Sequence, residues 1–372
     1  MTPTELRADM PALEDVTYLN TGASGPSPRH VVEAAESFLE YHEFESPAGE
    51  GMYPAAFDTY DDVRATVADF LGADTEEIAL TQSTSDGINR IAGALEWEAG
   101  DVVVRTDFEH PAGILPWQRL ERTHDVEVRV VESSGGRLDL DAYREAVEDA
   151  KLVCFSSLTW NYGTRMPVEK LVDIAHEAGA YVLVDAVQSV GQTPVDVHEW
   201  GADAVAAAGH KWLLGTWGAG YLYVDASFAE ELHPRALGYR GVVTPTDEEY
   251  ELKSGAARLE IGTTNPAPYV ALQQAIETMG DVGLDTVESR IHGLASSLSD
   301  AVPDDHLLSP TTPESGLVTI DVADPEGTVE RLKEQEIVIR PLPEPDAVRV
   351  SVHAFNTEDD VQSVLEALNG EY

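Results

Sequence analysis

The segment 203–224 contains the residue best suited to covalent chemistry. It reads DAVAAAGHKWLLGTWGAGYLYV, in which an apolar run leads to Gly-His-Lys-Trp and a glycine-rich return. Lysine occurs at only five positions of the 372-residue chain, and Lys211 has apolar residues on both sides. Burial disfavours the ammonium form, so an amine in such surroundings has a lowered pKa and is a nucleophile towards aldehydes. The alternative for Lys211 alone is a lysine that lays its stem across an apolar surface.

Three further polar sites follow predicted strands in the same way. Asp185 comes directly after an apolar strand, where it is either the N-cap of a helix or an anion that holds a proton on a heteroaromatic nitrogen. Ser83, Thr84 and Ser85 begin a helix, where they either cap it or form a cradle for a phosphate group. His110 follows another strand and is either structural or placed to stack on a planar ring.

Together these groups match the needs of one cofactor, pyridoxal 5′-phosphate. The lysine would form a Schiff base with the aldehyde, the carboxylate would keep the ring nitrogen protonated, and the helix N-terminus would hold the phosphate. One shared cause explains four coincident features better than four separate structural roles do. We therefore predict an enzyme that acts on an amino acid through Lys211.

The elements that must bring these groups together alternate along the first 255 residues. Apolar strand-like runs are separated by segments with helical periodicity, which indicates an α/β fold with a mostly parallel sheet. Ligands of such sheets bind beyond the carboxyl ends of the strands, so the polar residues there are expected to converge. The strands predicted before them are 77–81, 101–106, 181–184 and 203–207. Beyond about residue 255 the pattern changes and predicts a second, smaller α+β domain.

The motifs around these residues resemble those of the class V aminotransferase family of fold-type I pyridoxal-phosphate enzymes. This family includes cysteine desulfurases and isopenicillin-N epimerase-like proteins. The resemblance runs from YLNTGASGPSP at 18–28 to the end of the chain. Its most specific pieces are VDAVQSVG at 184–191 and GHKWLLGTWGAGYLY at 209–223.

The resemblance implies a domain organisation and a set of substrate contacts. A large domain at 18–255 would bind the cofactor on a mostly parallel seven-stranded sheet, and residues 256–372 with 1–17 would form the smaller C-terminal domain. Arg349 corresponds to the clamp for the substrate carboxylate, a task that suits the planar, bidentate guanidinium. The other substrate-binding residues implied are Gly22 and Ala23.

The resemblance also implies how the cofactor is held. Lys211 is the Schiff-base lysine, Asp185 is the partner of the pyridine nitrogen, and His110 stacks on the ring; these three are the expected catalytic residues. Gln188 would bind the phenolic oxygen of the ring. Thr263 would reach the phosphate of a neighbouring subunit, which implies a homodimer with shared active sites. The implied cofactor-binding set is completed by Thr84, Ser85, Asn161 and His210.

The family is compatible with several outcomes for the bound amino acid. After the substrate amine displaces it, Lys211 would remove the α-proton as a general base. Return of the proton to the cofactor carbon gives transamination, its return to the α-carbon gives epimerisation, and loss of a β-substituent gives a β-lyase. The family name favours an aminotransferase, with a β-lyase as the nearer alternative because an epimerase needs a second acid–base group. A non-catalytic scaffold is disfavoured because the lysine, carboxylate, histidine and arginine are all present.

Two positions depart from the family pattern. Cysteine desulfurases carry a nucleophilic cysteine in a mobile loop before the final strands, but the corresponding stretch 339–345 has none. The single cysteine, Cys154, lies in a run typical of a buried strand, so a desulfurase that forms a persulfide is disfavoured. The Ser or Thr that the family usually has two residues before His210 is Ala208, so one phosphate contact is weaker or is supplied elsewhere.

Composition restricts the environment and the partners. The chain has 68 acidic and 23 basic residues, a formal net charge of −45 at pH 7. Such a surface repels nucleic acid and anionic lipid and is destabilised by self-repulsion at low salt. We therefore expect a cytoplasmic protein from a haloarchaeon-like, acidic proteome that binds neither nucleic acid nor membrane. Its expected partner is a small-molecule amino-acid substrate. The start of the sequence has no signal-peptide pattern, no run is apolar enough to span a bilayer, and no metal-binding pattern is present.

Overall fold

Strands and helices alternate along residues 1–371, which the computed structural model describes. The strands are β1 (Thr17–Tyr18), β2 (Ile78–Thr81), β3 (Val102–Thr106), β4 (Glu127–Val131), β5 (Ser133–Ser134), β6 (Arg137–Leu138), β7 (Leu152–Ser156), β8 (Tyr181–Asp185), β9 (Ala204–Ala208), β10 (Gly220–Val224), β11 (Leu317–Ile320), β12 (Ile337–Val338), β13 (Arg340–Pro343) and β14 (Asp346–Ser351). The α-helices are α1 (Pro3–Ala8), α2 (Arg29–Glu40), α3 (Met52–Leu71), α4 (Thr84–Ala94), α5 (Leu115–His124), α6 (Leu140–Ala146), α7 (Val168–Glu177), α8 (Val197–Trp200), α9 (Ala226–Glu230), α10 (Ala267–Val282), α11 (Leu284–Ser299), α12 (Pro325–Lys333) and α13 (Glu358–Leu368). Short 3₁₀ turns lie at Pro11–Leu13, Ser46–Ala48, Thr75–Glu77, Pro111–Gly113 and Gly255–Leu259, and a π-helical turn lies at Tyr41–Glu45.

Seven strands form the central sheet, in the order β2-β10-β9-β8-β7-β3-β4. Only β10 is antiparallel to its neighbours, and the other six strands run in one direction. A parallel strand needs a long crossover connection, whereas the glycine-rich segment 209–219 returns from β9 to β10 without a helix. The α/β fold and the mostly parallel seven-stranded sheet predicted from the sequence are confirmed.

The central strands β7, β8 and β9 are buried on both faces, as parallel strands covered by helices require. Val182 and Val184 of β8 belong to the apolar cluster on one face, and Leu183 between them belongs to the cluster on the other. Cys154 of β7 pairs with Leu183 and lies in the same cluster, with no exposed surface. The lone cysteine is therefore part of the core.

The C-terminal segment builds a second, antiparallel sheet in the order β11-β14-β13. This sheet has its own apolar cluster, to which α11 and α13 contribute Leu298 and Val364. The N-terminal segment packs against this C-terminal part of the chain. β1 pairs in parallel with β12, and Arg7 forms a 2.8 Å ion pair with Asp360. The division of the chain at residue 255 into two domains stays a prediction.

The carboxyl ends of β2, β3, β8 and β9 lie at one edge of the central sheet, because these strands run in the same direction. Asp185 is the last residue of β8 and pairs with Ser156 and Ala206 on the two neighbouring strands. Its carboxylate therefore projects from the sheet, and it does not cap a helix. No helix within residues 1–371 combines the length and apolar character that crossing a bilayer requires.

Candidate active site

A cavity of about 260 Å³ lies at this edge of the sheet. It brings together most of the residues that the sequence singles out, which come from six separate parts of the chain. The predicted site residues that line the cavity are Gly22, Ala23, Thr84, Ser85, His110, Asp185, Gln188, His210, Lys211 and Arg349. Asn161 and Thr263 lie outside it.

Lys211 and Asp185 bring opposite charges to the cavity. Burial lowers the pKa of the Lys211 amine to about 8, against the opposing effect of the Asp185 charge. Burial also raises the pKa of Asp185, although the Val187 N–H donates to its Oδ1 at 3.0 Å and Lys211 favours its ionised form. The site thus holds an amine that loses its proton easily beside a carboxylate that is 3% exposed.

The turn that carries Lys211 is held by the segment that carries Gly22 and Ala23. The Gly25 N–H donates to the His210 carbonyl at 2.8 Å. A Cβ on Gly25 would lie 2.2 Å from the Lys211 carbonyl oxygen, so only glycine allows this approach. Contact between these two loops fixes where the amine enters the cavity.

Two imidazoles border the amine. Loss of hydration in the cavity lowers the pKa of both His110 and His210 to about 4, and the charge of Lys211 acts in the same direction. Both rings are therefore neutral near pH 7. His110 makes an edge-on contact with Trp160 at 5.7 Å between ring centroids, and His210 lies 5.0 Å from Trp217.

The N-terminus of α4 provides a polar cradle at one end of the cavity. Ser83 caps the helix by accepting the Asp86 N–H at 3.1 Å. Thr84 is the first helical residue, and its buried hydroxyl oxygen has no hydrogen-bond partner in the described chain. An unpartnered hydroxyl at the positive end of a helix fits a phosphate group. Ala208, at the end of β9, is almost fully buried and offers no hydroxyl to this cradle.

Gln188 is oriented by two hydrogen bonds. Its Nε2 donates to the Gly22 carbonyl at 3.0 Å, and its Oε1 accepts the Trp212 indole N–H at 2.7 Å. Gly191 allows Trp212 to pack here, since a Cβ at this position would lie 2.5 Å from the Trp212 carbonyl carbon. The second N–H of the Gln188 amide is left for an acceptor in the cavity.

Arg349 lies in β14 of the second sheet and lines the same cavity. Its side chain has no exposed surface, and its Nη1 donates to the Trp160 carbonyl at 2.7 Å. Its Nε and Nη2 are buried without a partner in the described chain, which fits a carboxylate clamp. A Cβ on Gly22 would lie 2.9 Å from Nη2, so the backbone at this point comes close to the guanidinium.

The two predicted residues outside the cavity have separate surroundings. Asn161 donates from Nδ2 to the Glu344 carbonyl at 3.2 Å, and its buried Oδ1 has no partner among residues 1–371. Thr263 is exposed, exchanges 2.8 Å hydrogen bonds with the Tyr239 hydroxyl, and borders a different cavity of about 350 Å³. Its predicted contact with a second subunit stays a prediction.

The structure adds three residues that the sequence does not suggest. Trp160 and Arg340 line the cavity, and no strand-end pattern marks either one. Glu109, next to His110, is buried and accepts hydrogen bonds from Ser156 and Thr106. Burial raises the pKa of Glu109 to about 7. Within residues 1–371 no group of three or more His, Cys, Asp or Glu side chains is arranged to hold a metal ion.

A mostly parallel sheet with a buried carboxylate and a lysine at adjacent strand ends defines the class of fold-type I pyridoxal-phosphate enzymes. The chain belongs to the class V aminotransferase family, whose profile matches residues 17–364. Among its relatives is a probable cysteine desulfurase of Methanothermobacter thermautotrophicus. The two are 36% identical over 295 residues, which cover 78% of this chain and 72% of the relative.

Solved structures of the family have the same fold. The apo cysteine desulfurase from Thermococcus onnurineus NA1 superposes with a TM-score of 0.91 at 28% identity, covering 99% of this chain and 97% of that one. A lysine variant of C-DES, with glycine covalently linked to its PLP cofactor, gives a TM-score of 0.92 at 25% identity, covering 98% and 99%. C-DES is also described as a cystine C-S lyase, in complex with its product cysteine persulfide. These matches confirm the predicted family, the fold type and pyridoxal phosphate as the cofactor of the family.

Proposed function

We propose that the protein is a pyridoxal-phosphate-dependent lyase, which removes the α-proton of an amino acid and expels a substituent from its β-carbon. The observation that carries this proposal is the cavity that combines the Lys211 amine, the Asp185 carboxylate and the unpartnered Arg349 guanidinium. The choice of elimination is supported by the relatives, whose names describe removal of sulfur from cysteine or C–S cleavage of cystine.

The residues of the cavity fit the cofactor. Thr84, Ser85 and His210 would hold its phosphate, with Thr84 supplying the buried hydroxyl that has no other partner. Asp185 would pair with the ring nitrogen, and Gln188 would use its free N–H on the phenolic oxygen. When bound, the cofactor supplies an electron sink that makes the α-proton of an amino acid acidic. His110 would cover the ring and Asn161 would complete the set from just outside the cavity.

The chain's own residues then bind the substrate and move a proton. Arg349 holds the substrate carboxylate through its two unpartnered nitrogens, beside the Gly22 backbone, which comes close to Nη2. Ala23 lines the same cavity. Lys211 is the general base at the α-carbon, because burial lowers its pKa to about 8. About a tenth of the amine is then neutral at pH 7, and most of it is neutral above pH 8. Burial raises the pKa of Asp185, and the Val187 N–H and the positive charge of Lys211 oppose this by favouring the ionised form.

Persulfide formation on this protein's own cysteine is not part of the proposal. Cys154, the one cysteine of the sequence, has no exposed surface, and burial raises the pKa of its thiol well above the usual range. Within the stretch 339–345, which corresponds to the cysteine loop of desulfurases, residues 340–343 form the strand β13. A direct elimination needs no protein thiol, so it is compatible with this cavity.

The proposal is tested by turnover without an acceptor. The holoenzyme is incubated with L-amino acids that carry a β-leaving group, and ammonia and 2-oxo acid are measured. Elimination yields both in equal amounts over many turnovers, and Lys211→Ala yields neither. One turnover per site that resumes only when a 2-oxo acid acceptor is added would replace elimination with transamination. A protein that takes up no cofactor would favour a scaffold.

Transamination, the outcome that the family name favours, is the second candidate. Lys211 is the only amine among the residues that line the cavity in the described chain, so one base serves both reactions. The acceptor-dependence assay separates them. Epimerisation stays a weaker alternative, and loss of optical activity from the substrate without release of ammonia would identify it.

We also propose a homodimer in which Thr263 of one subunit completes the phosphate site of the other. The segment around Thr263 exposes apolar side chains that a second copy would cover, namely Leu237, Tyr239, Val243, Tyr250 and Ile261. The Lys211→Ala and Thr263→Ala variants, each impaired alone, are expected to regain activity when their subunits are mixed after dissociation. A monomeric mass by light scattering, or mixed subunits without activity, would contradict the shared site.

A further inference from the structure

Arg340 and Arg349 project into the cavity from neighbouring strands. β13 and β14 are antiparallel, and these two arginines are direct partners in their register. Residues directly opposite each other in an antiparallel pair lie on the same face of the sheet, a few ångströms apart. Both side chains line the cavity that contains Lys211. The hairpin therefore presents two guanidinium groups to one site.

Neither guanidinium is neutralised by the protein. Ten of the other sixteen arginines of the described chain form ion pairs with carboxylates: Arg7, Arg64, Arg90, Arg129, Arg137, Arg144, Arg165, Arg240, Arg258 and Arg331. Within residues 1–371 the Arg340 guanidinium has no such partner, and Arg349 keeps two buried nitrogens unpaired. In a chain with 68 acidic residues, two adjacent arginines without a carboxylate are a costly arrangement.

The charge of the cavity points to the missing partners. Its lining includes three cationic side chains, Lys211, Arg340 and Arg349, against the single carboxylate of Asp185. Arg340 and Arg349 repel each other, and this repulsion adds to burial in lowering the pKa of Arg349 to about 9. One substrate carboxylate balances one guanidinium, and the cofactor phosphate belongs at the α4 end. A second anionic group is needed to balance the other guanidinium.

We infer that Arg340 is a second anion-binding residue and that the substrate is an amino acid whose side chain carries an oxyanion beyond Cβ. This inference rests on the proposed function, because it takes Arg349 as the clamp for the α-carboxylate. The oxyanion would sit across the hairpin from that carboxylate, where Arg340 is half-buried and open to the cavity. A neutral side chain of the same size would leave the Arg340 charge desolvated and unpaired.

Binding of matched pairs of ligands tests this inference. L-aspartate is compared with its neutral isostere L-asparagine on the holoenzyme, and succinate with succinamate on the cofactor-free protein, by the ligand dependence of the thermal unfolding midpoint. The wild type is expected to bind the dianionic member of each pair at least about tenfold more tightly, as a charge-assisted, largely desolvated contact provides. Arg340→Gln is expected to reduce this preference to within about twofold, and Arg340→Lys to retain part of it.

Controls separate this inference from general effects. Arg144→Gln removes an exposed arginine that is paired with Asp141, and it should leave the preference unchanged. The unfolding midpoint of ligand-free Arg340→Gln establishes that the variant is folded, and relief of repulsion with Arg349 should leave it equal or higher. A wild type that binds both members equally, or an Arg340→Gln variant that loses affinity for both to the same extent, would overturn the inference. Succinate binding needs neither cofactor nor turnover. A protein that does not catalyse elimination can therefore still prefer succinate to succinamate, so the two proposals fail separately.

Discussion

At the scale of single residues, the function depends on how the cavity changes the acidity of one amine. Lys211 has a pKa of about 8 because burial disfavours its charge, and Asp185 limits the shift. His110 and His210, with pKa values of about 4, are neutral above pH 5 and do not titrate with it. Near neutral pH two buried groups of this region thus titrate, the Lys211 amine and the Glu109 carboxyl, whose pKa burial raises to about 7.

This gives a prediction for the pH dependence of cofactor capture. Only the neutral amine attacks an aldehyde, and its fraction falls about tenfold per pH unit below the pKa. The rate of pyridoxal phosphate uptake by apo protein should therefore rise with pH and level off above about pH 8, the pKa of Lys211. Stopped-flow absorbance measures it. Asp185→Asn removes the charge that raises the pKa of Lys211, so its plateau should begin at lower pH.

A wild-type rate that keeps rising to about pH 10, as for an unperturbed lysine, would contradict this account of the amine. Reduction with borohydride followed by peptide mapping should place the cofactor on Lys211, and it provides the control that the measured rate belongs to this residue.

At the scale of elements, the sequence predicts those site residues whose position depends on the local pattern of a strand or helix. The sequence predicts the place of four cavity residues, Lys211, Asp185, Thr84 and His110, because each follows an apolar run. Parallel strands all end at the same edge of the sheet, so residues that follow them lie close together. The place of Arg340 in the cavity could not be predicted in this way, because it depends on the pairing of Arg340 with Arg349 across a hairpin. The register between two strands cannot be predicted from the sequence of one strand alone.

Other differences have equally local causes. Asp185 has the appearance of a helix cap in the sequence, but its Cα pairs with both neighbouring strands and it ends β8. Trp160 lies in no strand or helix pattern of the sequence. It lies at the cavity because it contacts Arg349 and His110, which are distant from it along the chain. The predicted phosphate contact of Thr263 cannot be seen in one chain, because it needs a second subunit.

The contact between the 186–191 turn and Trp212 yields a prediction at this scale. Gly191 has a φ of +90°, and an added Cβ would lie 2.5 Å from backbone atoms of Trp212. Gly179 has a similar φ of +83°, but nothing lies within 4 Å of its Cβ position. Alanine should cost about 1–2 kcal/mol of unfolding free energy at Gly179 from backbone strain alone. At Gly191 it should cost about 1–3 kcal/mol more through overpacking.

Urea unfolding at fixed salt measures both variants. Because Trp212 orients Gln188, Gly191→Ala should also weaken pyridoxal phosphate binding, whereas Gly179→Ala should not. Equal destabilisation by the two substitutions would mean that the loop yields without displacing Trp212.

At the scale of the whole molecule, the net charge of −45 predicts a stability that depends on salt. The Debye length falls from about 10 Å at 0.1 M salt to about 3 Å at 1 M, so repulsion between surface carboxylates is screened at high salt. We propose a cytoplasmic protein adapted to molar internal salt. The unfolding midpoint should rise by several degrees between 0.1 M and 2 M KCl.

Sucrose at equal osmolality is the control for this prediction, since it stabilises proteins without screening charge. A midpoint that does not respond to KCl, or that responds equally to sucrose, would remove the argument for a salt-adapted surface.

The close approach of Gly22 to Arg349 has a consequence for how the enzyme is made. A nascent chain on the ribosome presents Lys211, Asp185 and the α4 cradle well before β14 has been translated. Until β14 docks, the cavity lacks the Arg349 guanidinium, so the proposed substrate clamp is the last part of the site to be completed during synthesis.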